Sequence, residues 1–386
     1  MNTVYLDNNA TTMVAPEVVE AMTPFFGSLY GNASSMHTFG GQVKQHVEHA
    51  REQVAELLGA DPSEIIFTSC GTESDNSAIR GTVEALAGRK HHIVTTRVEH
   101  LAVLSVCQYF GKNGFRVTEL PVDGDGLLDL QLLEDTLTED TAIVSAMWAN
   151  NETGVLFPIA EIGEICRRKG VTFHTDAVQA VGKIPIDLRE TPVDLLSLSG
   201  HKLHAPKGIG VLYVRKGTRL APFLIGGHQE SNRRAGTENV PYIVGLGRAA
   251  ELTLEHATDY TTRVAAQRDR LEAALLDACP DSFVNGPPDQ RLPNTTNIAF
   301  EFVEGESILL MLDQVGICAS SGSACTSGSL EPSHVMRAMG VPFTAAHGSI
   351  RFSLSRYTTD DEIDHVIEHM PGIINRLREL SPFVEA

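Results

Sequence analysis

The stretch SSGSACTSGS, residues 320–329, surrounds one cysteine, Cys325, with small residues. Such a segment cannot pack a core, and its composition predicts a mobile loop that presents an accessible thiol. Once deprotonated, that thiol is a nucleophile. A second constellation lies upstream. The strand-like run VTFHTDAVQA contains Asp176, and Lys202 follows 26 residues later in SLSGHK. An acid and a lysine at neighbouring strand ends can face one pocket. That pairing suits pyridoxal phosphate, because a lysine holds the aldehyde as a Schiff base while a carboxylate keeps the pyridine nitrogen protonated. Taken alone, the pair also describes two solvated charges.

Three further segments carry possible chemistry. SCGTESDNSA (69–78) follows an apolar run and opens a helix, so the amides around Gly71 and Thr72 can meet an anion at the positive helix end. The same residues also describe a capped helix start with Thr72 as N-cap, the commoner use of such residues. Arg351, in SIRFSLSRYTT beside Arg356, has the fork that holds a carboxylate, or it pairs with a surface acid. His46 with His49, and His201 with His204, are spaced for a metal, but HExxH and CxxC motifs are absent and metal catalysis is discounted. Neither a Walker-type loop nor a GxGxxG is present.

The elements that must position these groups follow from periodicity. EIIFTS (64–69), HIVTTR (92–97), TAIVSAM (141–147), VTFHTD (171–176), VDLLSLS (193–199) and GIGVLYV (208–214) alternate with helix-like stretches. This predicts an α/β fold with a mainly parallel sheet covered by helices, and ligands at the carboxyl ends of its strands. After about residue 240 the pattern changes. A helical stretch with Val264, Leu271 and Leu275 runs to Cys279, the segment 281–357 reads as strands and loops, and a terminal amphipathic helix follows the capping-box spacing of Thr359 and Glu362. Pro371 is expected to kink or break that helix. The expected division is a large domain over 13–255 and a small α+β domain from 1–12 and 256–386, which carries the cysteine loop at about 318–333.

Composition limits the functional classes. Across 386 residues, 30 basic and 49 acidic side chains give a formal net charge of −19, which disfavours nucleic acid and anionic membrane surfaces as partners. No apolar run approaches a membrane span, and no leader-like segment opens the sequence. Six cysteines, at 70, 107, 166, 279, 318 and 325, are too sparse for a disulfide framework. A cytoplasmic enzyme with reduced thiols is expected. The five cysteines other than Cys325 read as buried small hydrophobes.

Several long motifs together resemble the pyridoxal-phosphate-dependent cysteine desulfurases of the NifS/IscS family: YLDNNATT, YGNASSMHTFG, FTSCGTESDN, VEHLAVL, MWANNETGVLFPI, FHTDAVQAVGK, LSGHKLHAPKGIGVLY, GGHQESNRRAGTEN and SSGSACTSGSLEPSHVMRAMG. The wording of MWANNETG and CTSGSLEPSHVMRAMG is nearest to the nitrogenase-associated NifS branch. The resemblance implies a fold-type I transferase and pyridoxal 5′-phosphate as cofactor. It makes Lys202 the Schiff-base lysine, Asp176 the partner of the pyridinium nitrogen, Gln179 a donor to the phenolic oxygen, and His100 the ring-stacking proton relay. Asn151 would touch cofactor and substrate, with Arg351 as the carboxylate clamp. Gly71, Thr72, Ser199 and His201 would hold the phosphate, joined by Thr237 from a second subunit, which implies a homodimer. Cys325 would accept the sulfur of L-cysteine, leaving L-alanine, and would pass it to a NifU- or IscU-type scaffold for iron–sulfur cluster assembly. No metal is implied for catalysis, with Cys325 available as a cluster ligand during transfer. Cys318 departs from the small or aliphatic residue usual there, and reads either as a buried cysteine ending the strand ILLMLDQVGIC or as a resolving thiol for Cys325.

Overall fold

The structure is a computed structural model that describes residues 3–321 and 332–381; Cys325, with most of its predicted loop, lies outside the described residues. Twelve strands are described: β1 (Val4–Tyr5), β2 (Ile65–Thr68), β3 (His92–Thr96), β4 (Arg116–Leu120), β5 (Thr141–Ser145), β6 (Thr172–Asp176), β7 (Leu195–Ser199), β8 (Gly210–Val214), β9 (Ser282–Val284), β10 (Thr295–Phe300), β11 (Ile317–Cys318) and β12 (Ser349–Ser353). The main sheet runs β2-β8-β7-β6-β5-β3-β4, parallel except for β8, which is antiparallel to both neighbours. All six expected strands are present. Since β2 and β7 both oppose β8, the carboxyl ends of β2, β3, β5, β6 and β7 open on one edge of the sheet.

The strands β2, β3, β5, β7 and β8 are buried along their whole length. Their apolar runs alternate between two cores, as a period of two requires. Ile66, Ile93, Ile143 and Leu195 enter one cluster with Ile79, Val103 and Phe110. Ile65, Val94, Val144 and Leu196 enter the other, with Val43, Val47, Val54, Ile243 and Leu246. In that second layer the helices Thr38–Leu58 and Val240–Glu255 approach closely: a Cβ on Gly247 would lie 2.7 Å from the Ala50 Cα.

A separate buried cluster joins Val4 and Leu6 to residues between Tyr260 and Ile374. It is built on the antiparallel sheet β12-β10-β9, the β1–β11 pair and the helices Ala265–Ala278 and Asp360–Leu380. Val335, Met336, Met339 and Ala346, from the same half of the sequence, pack instead into the larger core.

Several details correct the expectations. The segment 281–357 also holds helices at Gly305–Gln314, His334–Ala338 and Phe343–His347. The run ILLMLDQVGIC is therefore mostly helix, and only Ile317–Cys318 is strand. The Thr359–Glu362 capping box forms, but the helix continues through Pro371 to Leu380. Burial of Ile363, Val366, Met370, Ile373 and Ile374 outweighs the ~3 kcal/mol that an interior proline costs. Cys107, Cys166 and Cys279 are buried as expected, whereas Cys70 and Cys318 are only half-buried. Among the described residues, no helix is long and apolar enough to cross a membrane.

Candidate active site

At the carboxyl end of β2 the chain turns directly into the helix Gly71–Ala85. Its N-cap is Cys70 rather than Thr72, with the Cys70 sulfur accepting from the Glu73 amide at 3.5 Å. The amides of Gly71 and Thr72 fall in the first turn, where a helix supplies no acceptor. Gly71 has no room for a side chain, since a Cβ would lie 2.8 Å from the Val178 Cγ2 and 3.4 Å from the Ser199 Cβ. Ser199, the last residue of β7, is buried, and its hydroxyl has no hydrogen-bond partner among the described residues. An unpaired buried hydroxyl is costly unless a ligand completes it. A side-chain-free helix start packed against an orphaned hydroxyl is a cradle fitted to a phosphate. His201 stands beside it, its Nδ1 3.1 Å from the Thr11 hydroxyl, and burial together with Lys202 and Lys207 pushes its pKa down to about 4.

Asp176 ends β6, buried, with one oxygen accepting from the Val178 amide at 2.9 Å. Beneath it lie two groups that sequence reasoning misses. His174 is fully buried between Ser145 and Ser197, and burial pushes its pKa down to about 3, so the ring is neutral. Asp75, on the helix that Gly71 opens, has an oxygen 3.6 Å from the His174 Nε2. Burial, and then the charge of Asp176, drives Asp75 well above the ordinary carboxylate range. Burial also raises Asp176, but His100 and Lys202 oppose that rise. Of the two nearby buried carboxylates, Asp75 is the one driven further toward its protonated form.

Lys202 closes the short turn Gly200–Lys202 after β7, and its amine donates to the carbonyls of Asn9 and Ala10, the latter at 2.8 Å. Asn9 is a hub that spacing alone does not reveal. Its carbonyl accepts from the Gln179 Nε2 at 2.9 Å, and its side-chain oxygen accepts from the Lys183 amine at 2.9 Å. Lys183 also donates to the Gln179 Oε1 at 2.7 Å. This fixes the amide of Gln179, with oxygen toward the lysine and nitrogen away from it. Burial, with repulsion from Lys202 and Arg351, pushes the Lys183 amine well below its usual pKa.

His100 caps the helix Leu101–Lys112, its Nδ1 accepting from the Ala102 amide at 3.1 Å, so a neutral ring carries its proton on Nε2. It shares a cavity of about 470 Å³ with Thr72, which is exposed. Arg351 is buried in β12, where one nitrogen donates to the Asn151 carbonyl at 2.8 Å and another to Asp7 at 2.7 Å. Its Nε has no partner among the described residues. The backbone of Arg351 bridges Ser320 in both directions, which seats the arginine at the root of the Cys325 segment. Thr237 is exposed, and among the described residues no hydrogen bond links it to the other site residues.

Next to His100 lies Glu99, another buried acid that the sequence does not mark. Its Oε1 accepts from the Thr96 hydroxyl at 2.7 Å and the Met147 amide at 2.9 Å, while Oε2 has no partner among the described residues. Burial raises its pKa to about 8. The folded state thus holds a proton that the unfolded chain loses near pH 4.5, and stability falls as pH rises from there toward about 8, by about 1.4 kcal/mol per unit at most. Glu99→Gln, which keeps the accepting oxygen and cannot ionise, is expected to flatten that slope. Melting temperatures of the two proteins should converge near pH 5 and separate by pH 8 in favour of the variant; parallel curves would sink the assignment.

Comparison with known proteins places the whole chain in one family. The family model described as Aminotransferase class-V matches residues 4–366. A cysteine desulfurase of Trichormus azollae is 63% identical over 383 residues, covering 99% of this chain and 96% of that protein. The cysteine desulfurase NifS of Azotobacter vinelandii is 60% identical over 384 residues, covering 99% of this chain and 95% of its own. A NifS-like protein of solved structure superposes with a TM-score of 0.92 at 40% identity, over 97% of this chain and all of that one.

Proposed function

We propose that this chain, which belongs to the class V aminotransferase family and within it to the cysteine desulfurases, takes the sulfur from L-cysteine, releases L-alanine and holds the sulfur as a persulfide on Cys325 for iron–sulfur cluster assembly. The observation that carries this reading is the convergence, on one sheet edge, of the orphaned Ser199 hydroxyl over the Gly71 helix start with Asp176 and Lys202. That set fits pyridoxal 5′-phosphate: Gly71, Thr72, Ser199 and His201 for the phosphate, Asp176 for the ring nitrogen, Gln179 for the phenolic oxygen, Lys202 for the aldehyde. When bound, the cofactor supplies an aldehyde that captures the substrate amine and a ring that stores the electron pair released at Cα.

The residues of the chain do the rest. The Lys202 amine removes the Cα proton and returns it, and the carbonyls of Asn9 and Ala10 hold that amine at the pocket. Lys183 sets the amide of Gln179 so that its nitrogen is the group offered to the phenolic oxygen. His100 would lie against the bound ring and exchange protons through Nε2, since its Nδ1 accepts from the Ala102 amide. Arg351 and Asn151 hold the substrate carboxylate, for which Arg351 has an Nε without a partner among the described residues. The Cys325 thiolate attacks the substrate sulfur: an S–S bond forms, the C–S bond breaks, and its electron pair stays on the substrate carbon, which takes a proton to become the methyl group of alanine. Cys325–SH and L-cysteine thus become Cys325–S–SH and L-alanine, with no external oxidant.

Thr237 reaches the phosphate of a second subunit, so the working unit is a homodimer. Residues 13–255 form the cofactor domain, and 1–12 with 256–386 the domain that carries Cys325. A reducing cytoplasm suits the thiol. The acceptor is a NifU- or IscU-type scaffold, and the likeness to NifS favours nitrogenase maturation as the process. Holoenzyme given L-cysteine and dithiothreitol is expected to yield alanine and sulfide in equal amounts. Pyruvate and ammonia in place of alanine, or preferred turnover of L-selenocysteine or cysteine sulfinate, would overturn this reading.

A further inference from the structure

The helix Asp360–Leu380 carries His365, Glu368 and His369 at steps of three and four, the spacing that puts side chains on one helical face. A donor atom from each lies within 4.8 Å of the other two, and the imidazole centroids are 4.2 Å apart. The two rings do not face solvent in arbitrary tautomers. The Nε2 of His365 lies 2.9 Å from the Val315 carbonyl, and the Nδ1 of His369 lies 2.9 Å from the His365 carbonyl. A carbonyl accepts only, so each of these nitrogens must be N–H, and each neutral ring keeps its other nitrogen as a lone-pair donor. A ring N–H anchored on a backbone carbonyl is the usual outer partner of a metal-binding histidine.

We propose that His365, Glu368 and His369 form a surface site for a divalent transition ion of the Zn²⁺ class, separate from the desulfurase site. Two imidazoles and one carboxylate with an open fourth position are a donor set that zinc accepts. Donors around a tetrahedral zinc stand roughly 3.4 Å apart, so side-chain rotation by about an ångström closes the set, and exposed Glu368 has the freedom for it. The histidines open onto a cavity of about 640 Å³ that Asp361 and Glu362 also line. The Glu362 carboxylate is engaged by the Thr359 amide, which leaves Asp361 or water for the fourth position. The surrounding acids, on a chain of net charge −19, raise the local cation concentration. The ion would fasten the terminal helix to the Val315 turn, beside the β1–β11 pair.

The test is metal binding by chelator-treated holoenzyme, with Zn²⁺ alone followed by calorimetry and Co²⁺ by visible absorption. One equivalent per chain is expected, with d–d bands free of thiolate charge transfer. His369→Ala should weaken binding at least about tenfold, and His365→Ala/His369→Ala should abolish it, with desulfurase activity unchanged. Zn²⁺ should raise the melting temperature of the parent and leave that of the double variant where it was. Undiminished Zn²⁺ binding in the double variant, or thiolate charge-transfer bands with Co²⁺, would overturn the proposal.

Discussion

Replacing Lys202 with alanine is expected to reduce L-cysteine turnover by roughly 10⁴-fold or more and to remove the visible absorbance that attachment of the cofactor to the lysine produces. The size of the effect follows from two roles in one amine, which both anchors the cofactor and moves the Cα proton. The loss is not a folding defect. Lys202 is half-buried and its hydrogen bonds go to the carbonyls of the 9–10 turn, which Asn8 and Asn9 also fasten to Ser353. The phosphate cradle at Gly71 and Ser199 remains, so the variant should still take up the cofactor without a covalent link. Alanine release within about tenfold of the parental rate would remove Lys202 from the mechanism.

Cys325→Ala is the second large effect. The variant should bind cofactor and substrate with unchanged spectra, yet release alanine roughly 10³-fold more slowly, because the nucleophile for the substrate sulfur is gone. Four of the other thiols are poor substitutes. Burial pushes Cys107 and Cys166 up to about 12 and raises Cys279. Cys318 is raised by burial, then by Asp313 and Asp7, which disfavours its thiolate and with it a role as resolving thiol. Normal desulfuration by the variant would mean that another group takes the sulfur.

Much of this site is legible in the amino-acid sequence. The strands of the sheet stand out because burial on both faces forces continuous apolar runs, and Asp176, Ser199 and Gly71 sit where such strands end. The edge strand Arg116–Leu120 does not, since half-exposed residues have no comparable pattern. The helix at Gly305–Gln314 reads as strand because a short apolar run has no period of its own. The groups that tune the site are hidden for a different reason. Lys183, Asp75 and Glu99 look like surface charges in sequence, and only the fold shows them buried. Asn9 is joined to Gln179, Lys183 and Lys202, partners more than 160 positions away, by contacts that local spacing cannot encode. A charged residue inside a motif whose neighbours already carry the chemistry, as Lys183 does in FHTDAVQAVGK, is the one available signal.

The central claim is that sulfur passes from L-cysteine to Cys325. Incubating holoenzyme with L-cysteine without reductant, then mapping peptides by mass spectrometry beside a count of released alanine, tests it most directly. The prediction is one added sulfur atom on the Cys325 peptide for each alanine released in the first turnover. Alanine released with that peptide unmodified, or with the sulfur on Cys70 or Cys318, would contradict it.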